Sequence, residues 1–415
     1  MTSQLPLSTN PGFQRLWSAR AISRFGSALG YVVLIWYVYA QTGSALAVVY
    51  VGLAEFVPTI AFGILSGALV DRYERRRVVV LSTLGRSAAM GALVVSLYVG
   101  GFSLAIIVVA AAVFSICATF FGPGSQALLP ELIPREGLDR ANGLFESSES
   151  IVAIAGSAAA GVLIVTVGAI PSLGIDAASY VVAALFIALI GASVAPKAPI
   201  ARTEGLFQEV REGLAYLRNA NGLFQLTIAS LVINFLFSIV LTFLVVYTSK
   251  ELHGSAVVYG VIEALLAAGW GIGGLLVGRL RLTRYTGRLA VLAGFVEGAI
   301  VLGLILLPTL TVVFPLVLAV GIWQGVLNVS WLSTVQAGVP SQLQGRYFAT
   351  DNAISYAAIP GSQIVGGILI VFSGLPFTFI LVGVGSIFAS VVFLTLSRLR
   401  KLGYDPRSPT SVELS

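Results

Sequence analysis

Charged residues are scarce in this chain of 415 residues. Only 10% of its residues are charged, against roughly 25% in an ordinary soluble domain, and 57% are hydrophobic. A chain of this length and composition would bury too little of its apolar surface as a water-soluble globule. The bilayer must therefore be its solvent.

Cysteine and histidine are almost absent. Cys117 is the single cysteine, so no intramolecular disulfide is possible, and His253 is the single histidine. The sequence has no HExxH motif and no cysteine cluster for a zinc site, and because His253 lies in an external loop, no nucleophile–histidine–acid set can be built in the membrane. None of the three lysines follows the glycine that a phosphate-binding G-x-x-x-x-G-K-[ST] loop requires. We therefore expect no catalytic residues, no metal and no cofactor, and the chain is not expected to be an enzyme.

What the chain does contain is a series of apolar runs, each long enough to cross a bilayer as a helix of about 20 residues. Twelve such runs lie at 17–39, 45–70, 78–100, 102–121, 144–167, 175–194, 223–247, 257–277, 289–307, 312–335, 348–372 and 376–396. They predict an all-α integral membrane protein. Its predicted parts are an N-terminal six-helix bundle (1–195), a cytoplasmic linker with a short amphipathic helix (196–222), a C-terminal six-helix bundle (223–397) and a cytoplasmic tail (398–415).

Lysine and arginine lie almost entirely on one side of these runs. The turns after odd-numbered runs, such as 41–44 and 308–311, contain neither residue, with the single exception of Lys250, whereas the loops after even-numbered runs are rich in arginine. Because basic loops stay in the cytoplasm, both termini are predicted to be cytoplasmic in a multi-pass cell-membrane protein, specifically of the inner membrane. The net charge of +6 then reflects topology and contact with anionic lipids, not nucleic-acid binding.

The two halves of the chain resemble each other. The segment GALVDR at 67–72 matches GLLVGR at 274–279, and Gly156-Ser157 matches Gly361-Ser362 at nearly the same offset. Each half contains six runs, so corresponding helices keep the same direction. This predicts parallel repeats related by an axis along the membrane normal, with a substrate path between them.

The segment 67–77, GALVDRYERRR, resembles the loop signature of the major facilitator superfamily, G-x-x-x-D-R-x-G-R-R-[RK], with Glu74 in place of the second glycine. The segments FQRLW at 13–17, TGSA at 42–45, ALLPELIP at 127–134 and EGLAYL at 212–217 resemble its exporter branch, which contains the enterobactin exporter and macrolide-efflux proteins. The resemblance implies two pseudo-symmetric six-helix bundles, alternating access, multidrug efflux and a monomer. Two features differ from drug antiporters of the superfamily. Those proteins often have a Gly-Pro pair in the fifth helix, where this chain has Gly156-Ser157. They also often have an arginine in the fourth helix, whereas the run 102–121 has none.

By resemblance, the loop after the second run is a cytoplasmic latch, in which Asp71, Arg72 and Arg76 would hold the outward-open state. The alternative is an ordinary basic loop of the cytoplasmic side. The full set of predicted gate residues is Gly67, Asp71, Arg72, Arg76, Glu146, Arg279 and Asp351.

Carboxyl groups inside apolar runs are costly, at least ~2.5 kcal/mol each, and are rarely kept without a use. Glu55 and Glu263 lie at near-equivalent positions of the repeat, 208 residues apart. Desolvation disfavours the charged form of a carboxyl, so such a group can bind and release a proton as its access alternates. We predict proton coupling at these two residues, and less strongly at Glu149; the alternative is a structural hydrogen bond. Glu297 is expected to be structural.

Polar and aromatic side chains in other runs are candidates for a substrate cavity. They are Arg24, Asn234, Gln324, Asn328, Trp323 and Trp331. Arg24 alternatively extends to the membrane surface, and tryptophan is commonly an interface anchor.

The leading hypothesis is a secondary active transporter that exports small amphipathic compounds, such as drugs, macrolides or siderophores, in exchange for protons. Its partners would be the substrate, protons and membrane lipids. The alternatives are an uptake symporter or facilitator of a small solute, and a lipid-handling or sensor protein.

Overall fold

The computed structural model describes residues 7–134, 137–191, 221–339 and 341–403, apart from some side chains within helices, among them those of Gly67 and Asp71. Every regular element in these ranges is helical. The α-helices are α1 (Pro11–Thr42), α2 (Ala45–Arg72), α3 (Arg75–Gly100), α4 (Leu104–Leu132), α5 (Leu138–Thr166), α6 (Ala169–Ala188), α7 (Asn221–Thr242), α8 (Leu244–Lys250), α9 (Ala256–Leu280), α10 (Thr286–Leu306), α11 (Leu310–Gly338), α12 (Ser341–Ser373), α13 (Leu375–Phe393) and α14 (Ser397–Lys401). Short 3-10 turns lie at Leu7–Thr9 and Leu282–Tyr285.

The predicted all-helical membrane fold is confirmed. Within the described ranges, eleven helices are long and apolar enough to cross a membrane, and the twelfth predicted run lies in α12. Within α12, the described stretch Ala358–Ser373 is apolar. The predicted linker helix and the tail beyond residue 403 lie outside the described residues.

Capping explains why α1 extends beyond the apolar run that predicted it. The side chain of Asn10 accepts a hydrogen bond from the Phe13 N–H at 3.0 Å, and Pro11 follows at the first helical position. At the other end, Gly43 adopts a φ of 59° and its N–H binds the Tyr39 carbonyl. This left-handed conformation suits glycine and turns the chain into α2.

The chain divides into two compact units. The first unit contains Met1–Ile200 together with Gly254–Ala264, which is the beginning of α9, and the second contains Ala201–His253 and Leu265–Ser415. In the first unit, α1 packs on α5 and α6, α3 packs on α4 and α6, and α2 packs on α4. In the second unit, α10 packs on α13 and α11, and α7 packs on α12.

Glycine permits a close helix contact in the first unit, between α5 and the beginning of α9. A Cβ at Gly161 would lie 2.7 Å from the Ala256 carbonyl oxygen, and one at Gly260 would lie 2.8 Å from the Ser157 carbonyl oxygen. Small residues let membrane helices approach at backbone distance. Ser157 therefore takes part in this close helix contact, and it belongs to the Gly156-Ser157 pair whose match to Gly361-Ser362 suggested a repeat.

The same device joins α10 to α13 in the second unit. A Cβ at Gly294 would lie 2.0 Å from the carbonyl oxygen of Ser386, and one at Gly298 would lie 2.5 Å from that of Gly383. These contacts hold α10 in a fixed rotation about its axis, which decides which of its side chains face the interior of the unit.

The predicted internal repeat gains a structural counterpart at the starts of α6 and α13. Gly168 and Gly374 precede these helices with nearly the same backbone angles, φ 93° and 80° with ψ 163° at both. The hydroxyls of Ser172 and Thr378 then donate to the carbonyls of these glycines at 2.7 and 2.8 Å. Two equivalent turns 206 residues apart use the same hydrogen bonds.

Candidate functional site

Glu55 and Glu263 share one site in the first unit with two tyrosines. Tyr259 donates a hydrogen bond to the Glu263 carboxyl, and Tyr31 lies close enough to Glu263 and to Glu55 to interact electrostatically with both. Tyr259 is likewise within electrostatic reach of Glu55. We call these four residues the carboxyl–tyrosine cluster. The structure thus places near the same two tyrosines both carboxyls that lie at near-equivalent positions of the repeat.

The backbone of α2 is held in an unusual way beside Glu55. Pro58 lies inside this helix and has no N–H to donate, which leaves the Ala54 carbonyl without its usual helical donor. The hydroxyls of Thr59 and Ser115 both donate to the Glu55 carbonyl, and they lie 2.8 Å from each other. Because Ser115 belongs to α4, these bonds fix the part of α2 that carries Glu55.

The cluster combines fixed and accessible groups. Tyr259 is only 1% exposed, and its ring stacks on Trp36 with centroids 6.0 Å apart. Tyr31 is 37% exposed, and both carboxyls are half-buried. A buried tyrosine that is fixed by stacking can orient one carboxyl, while the open side of the cluster admits a proton or a small cation.

Glu149, the third predicted coupling residue, differs from the other two. Its carboxyl forms an ion pair with Arg20 at 2.6 Å, and the Arg20 guanidinium lies over the Phe145 ring, 4.3 Å from its centroid. A carboxylate with its own counter-charge is stabilised in its ionised form. The geometry therefore favours a structural ion pair between α1 and α5 at this position.

The arginine loop between α2 and α3 is bound to the ends of neighbouring helices in the first unit. Arg75 pairs with Glu131 at 2.6 Å, and Arg76 donates to the Ile190 carbonyl at 2.6 Å, just beyond α6. A cation at a helix C-terminus is favoured by the helix dipole. Of the other predicted latch residues, Arg72 is exposed, and the side chains of Gly67 and Asp71 lie outside the described residues.

The remaining predicted gate residues occupy two kinds of place. Glu146 and Arg279 are exposed. Asp351 is 4% exposed and accepts a hydrogen bond from Thr227 at 3.0 Å, which joins α12 to α7. Glu146 and Asp351 occupy matching positions of the repeat, yet the side chain of Glu146 is exposed and that of Asp351 is buried.

The second unit contains a cavity of about 410 Å³. Four of the six predicted cavity residues line it, namely Asn234, Gln324, Asn328 and Trp331. The lining also includes Trp270, Asp351 and the hydroxyl residues Ser230, Ser238, Thr286 and Ser330. Trp323 does not line this cavity, and Arg24 lies in the first unit with an exposed side chain. Drug-sized ligands bind in pockets of this size with apolar walls and a few polar groups.

A buried polar network lies at the centre of the first unit. Arg86 is 4% exposed, donates to Ser23 and Ser27 at 2.8 and 2.6 Å, and lies 4.1 Å from the centroid of the Tyr180 ring. Asp176 on α6 packs directly against the backbone of α1, where a Cβ at Gly30 would lie 2.3 Å from its carboxylate. This network joins α1, α3 and α6 and suits a structural role.

No group of His, Cys, Asp and Glu side chains suited to a metal ion occurs in the described parts of the chain. The binding groups of the sites described above are therefore carboxyls, hydroxyls, amides and indoles. Such groups bind protons and small polar or cationic molecules.

Comparison with known proteins identifies relatives along the whole chain. The family described as transmembrane secretion effector matches residues 2–411. Macrolide efflux protein A of Streptococcus pyogenes is 27% identical, with 94% of this chain and 97% of the relative covered. The multidrug efflux pump Tap of Mycobacterium tuberculosis is 28% identical, with 96% of each covered.

Solved transporter structures share the fold at low sequence identity. The nucleoside transporter NupG aligns with a TM-score of 0.74 at 12% identity, over 93% of this chain and 100% of that structure. A bacterial homolog of the human lysosomal transporter Spinster aligns with a TM-score of 0.70 at 13% identity, over 96% and 100%.

Proposed function

The chain belongs to the transmembrane secretion effector family of major facilitator transporters, and we propose that it exports small amphipathic molecules in exchange for protons. As a member of this family, it is a membrane transporter and not an enzyme. The efflux proteins among its relatives support the direction of transport.

The observation that carries proton coupling is the pairing of Glu55 and Glu263 in the carboxyl–tyrosine cluster. A carboxyl that is shielded from water and has no counter-charge is more stable neutral than ionised, so that a site of this kind favours taking up a proton. Unlike Glu149, neither has an ion-pair partner within 4.0 Å among the described residues. A proton therefore supplies the charge balance that Arg20 gives to Glu149.

The proposed transport cycle uses the cluster as a proton site that is alternately open to each side of the membrane. In the outward-open state the carboxyls take up a proton from outside as substrate leaves the cell; in the inward-open state they release the proton inside as substrate binds. The tyrosine hydroxyls keep a carboxyl oriented in both protonation states, because a hydroxyl can donate or accept. Coupling requires that substrate and proton favour different states.

The proposed substrate chamber is the cavity of the second unit. Its indoles offer flat apolar surfaces, and the amides of Asn234, Gln324 and Asn328 offer donors and acceptors. Such a lining accepts molecules that have an apolar body and a few polar groups, as drugs and macrolides have.

We further propose a monomer in the cell membrane with both termini in the cytoplasm. The arginine loop between α2 and α3 and the exposed Arg279 would then face the cytoplasm and its anionic lipids. Small-molecule substrate, protons and lipids would be its partners, and nucleic acid would not.

A test uses bacterial cells from which the main drug exporters have been deleted. Expression of the chain is expected to lower steady-state accumulation of a macrolide and of ethidium, and a protonophore is expected to restore it. Export that continues after the proton gradient collapses would reject proton coupling. Increased accumulation on expression would instead favour the uptake alternative. Cells that show neither effect, with the protein present and folded, would favour the lipid-handling alternative.

A further inference from the structure

The cavity of the second unit has an acidic and aromatic lining. Trp270 and Trp331 supply two indole rings, and Asp351 supplies a carboxyl, whereas its described lining contains no lysine or arginine. Indole faces attract cations through the ring quadrupole. The electrostatic character of the wall therefore suits a positively charged molecule better than a negatively charged one.

A second carboxyl, Glu297, lies directly behind this wall. Thr286, Ala290 and Ala293 of α10 line the cavity, and Glu297 continues the same stripe one helical turn further on. Its side chain is 1% exposed. The Nε2 of Gln324, which lines the cavity, donates to the Glu297 Oε1 at 3.0 Å. Gln324 thus separates the carboxyl from the cavity.

The other carboxyl oxygen of Glu297, Oε2, has no hydrogen-bond partner among the described residues. Charge balance is also missing around it. The helices α7, α11 and α13, which pack on α10, contain no ionisable residue. The titratable groups on the other elements packed against α10 lie at its beginning: Arg284 and Tyr285 precede it, and Arg398, Arg400 and Lys401 are on α14.

Among the described residues, the basic side chains lie too far from Glu297 to serve as its counter-ion. Arg288, on α10 itself, is nine residues earlier, which corresponds to about 13 Å along the helix. Asp351 is an acid and is already bound to Thr227. Burying an isolated carboxylate costs far more than burying a neutral carboxyl. Glu297 therefore carries a proton in this conformation, on the oxygen that has no partner.

We propose that the cavity of the second unit binds an organic monocation with a flat apolar body, and that Glu297 supplies its counter-charge. As the cation enters, the Gln324 side chain moves aside and the proton on Oε2 passes to water. The Glu297 carboxylate then pairs with the cation between the two indole rings. One positive charge enters and one leaves, so the net charge of the second unit is unchanged. This inference specifies the substrate class within the proposed export function and rests on it.

The site is separate from the carboxyl–tyrosine cluster, which belongs to the first unit, and this separation allows an independent test. The protein is prepared in lipid nanodiscs as the Glu55→Gln, Glu263→Gln variant, so that the cluster can release no proton. Ethidium, a flat permanent cation, is titrated in weakly buffered medium with a pH indicator. Binding by calorimetry and proton release are measured together. The neutral amphipathic probe N-phenyl-1-naphthylamine is titrated in parallel.

In this background, ethidium is expected to release close to one proton per molecule bound. Adding Glu297→Gln is expected to abolish that release and to weaken ethidium binding at least about tenfold, because a buried partner of the cation's charge is lost. Binding of the neutral probe is expected to be unchanged. Glu251→Gln, outside the lining of the cavity, is the matched control and is expected to change neither quantity.

Ethidium binding without proton release from the protein that retains Glu297 would overturn the proposal, and this arm needs no substitution at that site. Equal release and affinity with and without Glu297→Gln would also overturn it, as would failure of ethidium to bind. Because the background lacks the cluster carboxyls, none of these results depends on proton-coupled transport. Failure of the proposed function would appear instead as export that ignores the proton gradient.

Discussion

Tyr259 donates a hydrogen bond to the carboxyl of Glu263, one turn further along α9. The same tyrosine is buried and stacked on Trp36, so its hydroxyl is held in place. This relationship assigns a task to each residue: the carboxyl exchanges a proton and the tyrosine keeps it oriented. The following predictions test this account of the cluster and of the fold that supports it.

Removing the Tyr259 hydroxyl is expected to slow transport and leave folding intact. A hydrogen bond to a charged group contributes about 1.5–3 kcal/mol, so Tyr259→Phe is expected to lower gradient-driven transport by about tenfold or more. The ring and its stacking on Trp36 remain. Tyr50→Phe, at an exposed position of α2, is the matched control and is expected to transport normally. Equal rates for both variants, measured in proteoliposomes, would contradict the orienting role.

The Arg20–Glu149 pair is expected to stabilise the protein without coupling it to protons. Arg20→Ala and Glu149→Gln are each expected to lower stability by about 1.5–3 kcal/mol. The double variant is expected to be little worse than either single one, because both substitutions remove the same interaction. Thermal unfolding in detergent measures this cycle. Additive losses would show that the two side chains act independently.

Helix packing at Gly294 is expected to be intolerant of a methyl group. A Cβ there would overlap the Ser386 carbonyl, so Gly294→Ala is expected to destabilise the protein by about 1–3 kcal/mol or to prevent folding. Gly91→Ala in α3, where a Cβ meets no atom within 4 Å, is the control and is expected to be neutral or stabilising by up to about 1 kcal/mol. Melting temperatures of the two variants decide the matter; equal melting temperatures would contradict the packing.

The orientation of the chain is open to a labelling experiment. In a Cys117→Ser background, Gln41→Cys is expected to react with a membrane-impermeant maleimide in intact cells. Tyr73→Cys, in the arginine loop, is expected to react only after the membrane is permeabilised. Both positions are exposed, so accessibility to water alone does not separate them. The reverse pattern would place the termini outside.

Much of the fold could be predicted from composition, because a run of about 20 apolar residues is expected to form a membrane-spanning helix. Where helices begin and break was harder to predict. The Asn10-Pro11 pair is a helix-start signal that the apolar run alone does not include. The break between α7 and α8 falls at Phe243, and no neighbouring glycine or proline predicts it from the sequence.

The cavity shows what helical periodicity adds to a list of polar residues. Gln324, Leu327, Asn328 and Trp331 all line it and follow the i, i+3, i+4, i+7 spacing of one helix face. Trp323 lies off that stripe, which explains why it does not line this cavity. The tyrosines of the cluster were missed because tyrosine is common near membrane interfaces. The spacing of Tyr259 and Glu263 by four residues was the available signal.

The central claim is that protons drive transport through Glu55, and one reconstitution tests it most directly. The purified protein and its Glu55→Gln variant are placed in liposomes with an inside-acid gradient, and uptake of a macrolide is followed. Glu251→Gln, an acid of the second unit that belongs to neither proposed site, serves as the control. The account predicts gradient-dependent uptake by the parent and the control, and loss of that dependence in Glu55→Gln. Uptake by Glu55→Gln that still follows the proton gradient at the parent's rate would contradict it.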